Sequence, residues 1–108
     1  VLGVDAITLN PYLGYDALKP FLQDPQKGAF ILCKTSNPGA KDLQDLMVKT
    51  GPTQLGLPDE MPLYEAVAHL AKTWQHSHNL GLVVGATYPE ALGRIRLAAG
   101  AGDWYPRR

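Results

Sequence analysis

Three times along this chain an apolar, β-branched run ends in a polar turn and gives way to a segment of helical period. The runs are residues 4–10 (Val-Asp-Ala-Ile-Thr-Leu-Asn), 29–33 (Ala-Phe-Ile-Leu-Cys) and 81–85 (Gly-Leu-Val-Val-Gly). Runs this short, rich in Val, Ile and Leu and bounded by Gly or Pro, predict buried strands. A strand followed by a helix must return by a crossover, so repeating the unit imposes a parallel sheet. The fold class read from the pattern is α/β, and in parallel α/β folds the ligand sits at the carboxyl ends of the strands.

The turn after the second run is the richest in chemistry. Residues 34–40 read Lys-Thr-Ser-Asn-Pro-Gly-Ala. Thr35, Ser36 and Asn37 offer two hydroxyls and an amide, Pro38 stiffens the turn, and Gly39 lets backbone approach a ligand closely. Polar groups on a rigid shelf suit a flat, carbonyl-bearing molecule, and they equally suit an ordinary capped turn. The first strand presents Thr8 and Asn10 at the corresponding end, before Pro11 stops it.

The segments between the strands fill out the pattern. Asp16 is placed to cap a short helix carrying Leu18, Phe21 and Leu22 at i, i+3, i+4. Leu43, Leu46 and Met47 predict a second short helix over 42–48. Residues 50–60 hold Gly51, Pro52, Gly56 and Pro58 and predict a loop, of a length common in functional lids. Pro62 at the first helical position opens the clearest helix, with Leu63, Ala66, Val67, Leu70, Ala71 and Trp74 on one face. A last helix starts at Pro89, with Thr87 or Tyr88 at its cap, turning Leu92, Ile95 and Ala99 inward and Glu90, Arg94 and Arg96 outward. The tail, 100–108, has no usable period. Three units are fewer than a closed barrel needs and leave bare strand edges. A fragment of a (β/α)8 barrel and a small open doubly wound sheet both fit.

Composition narrows the function classes. The 108 residues suffice for one small domain, with ten basic against ten acidic side chains. Zero net charge gives no footprint for nucleic acid or a membrane surface. No apolar stretch reaches the roughly 18 residues of a membrane span, and no signal peptide is visible. Cys33, the single cysteine, sits inside an apolar run and reads as an inert buried thiol of a reducing compartment. His69, His76 and His78 could suggest a metal cluster, but the last two flank Ser77 near a helix end and read as solvated or capping groups. Residues 81–85 are no dinucleotide fingerprint, because the third glycine and its acidic partner are absent.

The wording of the strand ends chooses between the architectures. Asp5-Ala-Ile-Thr-Leu-Asn-Pro-Tyr-Leu-Gly14, Leu32-Cys-Lys-Thr-Ser-Asn-Pro-Gly-Ala40 and Gly81-Leu-Val-Val-Gly-Ala-Thr-Tyr-Pro-Glu90 resemble, in that order, the orotidine 5′-phosphate decarboxylase family, in its bacterial branch with TSNPGA and VVGATYPE motifs. The likeness spans about residues 4–97. It implies a partial (β/α)8 TIM barrel, about three βα units corresponding to the family's fourth to sixth strands. The whole of 1–108 is then a single partial domain, a piece of a longer protein, with 100–108 as an atypical tail where the family supplies its seventh strand.

The resemblance implies a carboxy-lyase that converts orotidylate to uridylate and CO2 in pyrimidine biosynthesis, without metal or organic cofactor. Its chemistry depends on a lysine ammonium beside a carbanion, in an Asp-x-Lys-x-x-Asp motif that this chain lacks. Lys19, Lys27, Lys34, Lys41, Lys49 and Lys72 do not match it. The motif is expected upstream of Val1, and the phosphate-binding loop is missing as well. The isolated chain is therefore expected to be inactive and, with its strand edges bare, to self-associate. Ser36 matches the family's base-contacting serine. Leu32, Thr8 and Val84 match positions lining the pocket around the ring, and Asn10 and Asn37 lie at the same face. The family's dimer interface also runs along this side, so some of these groups can serve it instead. The expected partners are a nucleotide substrate and, for the whole protein, a second copy, in the cytoplasm. The alternatives are a related phosphate-sugar lyase or synthase on the same barrel, and a non-catalytic truncated relic.

Overall fold

The computed structural model describes residues 6–24, 27–50, 59–75, 79–85 and 89–100. Three strands, β1 (Ala6–Leu9), β2 (Gly28–Lys34) and β5 (Leu80–Val84), form one sheet in the order β1-β2-β5. Both pairings are parallel, with Thr8 opposite Phe30 and Leu9 opposite Ile31, and Phe30 opposite Gly81 and Ile31 opposite Leu82. The carboxyl ends of all three strands thus lie along one edge, as the repeated pattern predicts.

Among the described residues three helices cover the sheet: α1 (Tyr15–Leu22), α2 (Leu63–Trp74) and α3 (Pro89–Ala99). Alternation along a strand sends successive side chains to opposite faces. Leu9, Ala29, Ile31 and Leu80 pack with Leu18 and Leu22 of α1 and with Ala71 and Trp74 of α2. Cys33 joins Tyr64 and Ala68 of α2 and Ala91, Ile95, Ala98 and Ala99 of α3 in a second cluster. Burying each Leu or Ile side chain contributes about 1.5–3 kcal/mol, so these clusters hold the layers together. All three helices therefore lie on one face. In a doubly wound sheet they would divide between two, so the arrangement is that of a barrel wall. The opposite face, which carries Thr8, Phe30, Leu32 and Val83, is covered by no described helix.

The structure differs from the sequence expectations at several points. Residues 42–48 form no α-helix. A 3-10 turn, Pro38–Asp42, leads instead into β3 (Met47–Lys49), which pairs antiparallel with β4 (Glu60–Pro62). Leu43, Leu46 and Met47 are all exposed, so the i, i+3, i+4 pattern here had no core to face. Pro62 belongs to β4 and caps α2 from outside. The buried stripe of α2 is Tyr64, Ala68, Ala71 and Trp74, rotated from the predicted one, and Leu70 is exposed. Tyr64 displaces Leu63 because its long ring reaches under Lys34 while its backbone carbonyl takes the Cys33 thiol. In α1 the cap is Gly14, with Asp16 in the first turn, and Phe21 is exposed. Ile95 and Ala99 point inward as expected, joined by Ala91 and Ala98. The loop centre (51–58), His76, His78, Thr87, Tyr88 and the tail from Ala101 lie outside the described residues.

Candidate functional site

The site is built at the carboxyl edge of the sheet, where β2 runs into the Thr35–Asn37 turn. The register carries one irregularity. Leu32 pairs with Val83, but the next paired residue on β2 is Lys34, opposite Val84. The extra residue, Cys33, is a bulge, a device that re-aims the side chains after it. Strict alternation would send Lys34 to the open face with Phe30 and Leu32. Instead Lys34 is buried, its ammonium 2.8 Å from Asp45 Oδ1. It also lies 5.5 Å from the centroid of Tyr64, within cation–π range. Lys34 faces a cleft of about 500 Å³ that it shares with Lys41, Asp45, Tyr64, Pro89 and Glu90. Its charge is engaged on the helix side of the sheet, away from the open face.

The turn itself is held by Gln44. The Thr35 amide donates to Gln44 Oε1 at 2.8 Å. Gln44 Nε2 donates back to the Thr35 hydroxyl at 2.9 Å. The same hydroxyl donates to Asn37 Oδ1. Gln44 is itself fixed by backbone, its amide donating to the Ala40 carbonyl at 2.9 Å and its carbonyl accepting from the Tyr64 amide at 3.0 Å. Between Thr35 and Asn37, Ser36 is exposed, and its hydroxyl has no partner among the described residues. From the other side Gly85 presses on it, and the Gly85 amide donates to the Lys34 carbonyl at 2.7 Å. A free hydroxyl on a clamped turn can donate to or accept from an amide edge without losing an internal bond.

The six residues singled out from the sequence divide. Ser36 and Asn37 sit exposed on the turn after β2, Asn37 lining the cleft that Lys34 faces, and Leu32 precedes the turn on β2, 37% exposed on the open face. Thr8 is exposed on that face one row lower, in register with Phe30. Asn10 is spent on structure: its Oδ1 accepts from the Tyr12 amide at 2.9 Å and caps a 3-10 turn, Pro11–Leu13. Asn37 is partly spent in the same way, through Thr35. Val84 packs into the helix-side cluster with Cys33 and Tyr64, and its neighbour Val83 takes the open face opposite Leu32.

Sequence reasoning missed Gln44, Gly85, Phe30 and Val83. Gln44 lies in a stretch read as a helix, where a glutamine carries no signal of its own. Val83 could have been found only by knowing where the bulge falls. His69 is half-buried on α2, and burial lowers its pKa below the ordinary value. Among the described residues no three His, Cys, Asp or Glu side chains converge on a metal position.

Comparison with known proteins bears on most of the chain. The sequence model of the "Orotidine 5'-phosphate decarboxylase / HUMPS family" matches residues 1–103. A Halorubrum lacusprofundi orotidine 5′-phosphate decarboxylase is 55% identical over 92 residues, 85% of this chain and 30% of the relative. One from a Roseiflexus species is 54% identical over 99 residues, 91% of this chain and 33% of the relative. The solved structure of Leishmania donovani OMP decarboxylase superposes with a TM-score of 0.76 at 48% identity, covering 89% of this chain and 35% of that one. Leishmania donovani UMP synthase gives 0.77 at 48% identity, over 91% of this chain and 20% of that one. The chain thus spans about a third of the length of the curated relatives it matches.

Proposed function

Because the chain belongs to the orotidine 5′-phosphate decarboxylase / HUMPS family, we propose that it is the pyrimidine-recognition segment of a barrel that decarboxylates orotidylate to uridylate. The observation that carries this reading is the unpartnered Ser36 hydroxyl at the carboxyl edge of a parallel sheet, on a turn braced from both sides. The names of the relatives, each a decarboxylase or a uridylate synthase, support decarboxylation over the phosphate-sugar chemistries of related barrels.

In this reading each residue has a separate task. Ser36 meets the amide edge of the base, where a hydroxyl can serve as donor and acceptor. Leu32 and Val83, adjacent in register, offer apolar surface to the ring, with Thr8 and Phe30 in the row beneath. Such contacts lie remote from the carbon that loses CO2, and binding energy gathered there can be used to hold the reacting centre against charges preorganised for the carbanion. Those charges, a lysine and its flanking aspartates, come from another part of the barrel, since Lys34 is turned to the helix side and ion-paired. The small-molecule partner is orotidylate, and the whole protein works as a homodimer in the cytoplasm. Among the described residues no helix is long and apolar enough to cross a membrane.

The test is a chimera in which residues 1–103 replace their counterpart in the Leishmania donovani OMP decarboxylase. Uridylate should inhibit the chimera competitively, and Ser36→Ala should weaken that inhibition about tenfold, the worth of one or two hydrogen bonds. Inhibition unaffected by Ser36→Ala would contradict the base contact.

A further inference from the structure

A serine that is to read a base edge needs a turn with one conformation, and Ser36 cannot supply that itself, having no bond of its own among the described residues. The restraint comes from its neighbours. On the amino side, Gln44 closes a two-point clasp on Thr35, taking its amide at 2.8 Å and its hydroxyl at 2.9 Å. The clasp extends to Asn37 through the Thr35 hydroxyl, so both flanking residues of Ser36 are fixed through one side chain. Gln44 can do this because its own backbone is held at Ala40 and Tyr64, and Tyr64 is buried at the start of α2. On the far side, a Cβ built on Gly85 would fall 2.9 Å from Ser36 Cβ and 3.0 Å from its amide nitrogen, so the turn sits hard against backbone.

We propose that Gln44 is a positioning residue of the nucleotide site: its amide clasps Thr35 and thereby presents the Ser36 hydroxyl to the base. The proposal rests on the reading of Ser36 as the base contact and adds to it a residue that touches no substrate. A side chain acting only through Ser36 has a recognisable signature. Removing it weakens binding, yet removes nothing further once the Ser36 hydroxyl is gone. A residue needed merely for folding would add its loss to that of Ser36→Ala.

Two measurements decide it. In the chimera, Gln44→Ala should lower kcat/KM for orotidylate by about fivefold to tenfold, as expected for loss of one or two net hydrogen bonds. The Gln44→Ala/Ser36→Ala pair should then lose no more than Ser36→Ala alone. Gln44→Glu keeps an acceptor for the Thr35 amide and should recover most of the activity. Losses that multiply in the double variant, or no rescue by glutamate, would overturn the proposal.

Hydrogen exchange of the chimera, resolved to single amides by mass spectrometry, provides the second measurement. Gln44→Ala should speed exchange of the Thr35 amide about tenfold while the amides of β2 keep their protection. An unchanged Thr35 rate would overturn the clasp whether or not the chimera is active. If Ser36→Ala alone leaves kcat/KM unchanged, the base-contact reading falls, and the exchange rate still judges Gln44.

Discussion

Gly85 lies so close to Ser36 that any side chain on the glycine would meet the serine's Cβ and backbone before it met solvent. The contact joins the ends of β2 and β5 at the edge where the turn presents its hydroxyl, and it makes a methyl group a sharp probe of the site. Gly85→Ala must push the turn or the end of β5 aside, because the opposing atoms are not the tip of a flexible side chain. Overpacking of this kind costs about 1–3 kcal/mol. Urea unfolding of the chimera should show a loss in that range together with weaker uridylate inhibition. Unchanged stability and inhibition would mean that the two strand ends do not meet as described.

Asn79 offers a second probe, at the opposite end of the sheet. It is 2% exposed, and its Nδ2 donates to the carbonyls of Leu22, Asp24 and Lys27 at 3.1, 2.9 and 3.1 Å. Its backbone carbonyl accepts from the Ala29 amide at 2.8 Å, while Oδ1 is buried without a hydrogen-bond partner among the described residues. One residue thus ties the end of α1 to the start of β2 and to β5. Asn79→Ala strips those carbonyls of their donor and should destabilise the fold by about 2–3 kcal/mol in urea unfolding, the penalty for orphaned buried polar groups. A change below about 0.5 kcal/mol would show that water replaces the amide without loss.

The thiol of Cys33 makes a prediction in pH. Burial pushes its pKa from the ordinary 9.0 up to about 12, and the thiol donates to the Tyr64 carbonyl at 3.1 Å. The folded state holds this proton more tightly than the unfolded chain. Its contribution is therefore complete below about pH 9 and declines as pH rises toward 12, by up to about 1.4 kcal/mol per pH unit. Alkylation by iodoacetamide at pH 8 should be slow in the folded protein and fast in urea. Rapid alkylation without denaturant would contradict the burial. His69 has the opposite sign: burial lowers its pKa, so its contribution is present above the ordinary 6.5 and lost as pH falls below it.

Open strand edges lead to a prediction about the isolated chain. Among the described residues β1 and β5 each pair on one side only, and Leu32 is exposed on the uncovered face. Unpaired edges template further pairing. Light scattering on the 108-residue chain should report self-association. A monodisperse monomer with a cooperative melt would contradict the account of the sheet as part of a larger wall.

How much of this was legible in the sequence follows from what each signal measures. The three strands and their shared direction were readable because an apolar run ending in a polar proline turn is a local signature. Which face each residue takes was not. A single bulge at Cys33 buries Lys34, and Val84, not Val83, packs against the helices. The β3–β4 hairpin was missed because Leu43, Leu46 and Met47 imitate a helical stripe while facing outward. Period counting placed Leu63 and Leu70 in the core of α2, where Tyr64 takes the place by reaching Lys34 and Cys33. At the candidate site the polar turn after β2 was legible, with Ser36 exposed on it and Leu32 exposed on the strand before it. Asn10 turned out to be a cap, and Gln44 carried no sequence signal at all.

In the proposed function this chain contributes recognition and no reactive cation. Orotidylate turnover followed by ultraviolet absorbance, with the isolated chain and the chimera side by side, tests it most directly. No turnover by the chain alone and steady decarboxylation by the chimera are expected. Turnover by the isolated chain, or a folded chimera that leaves orotidylate untouched, would contradict it.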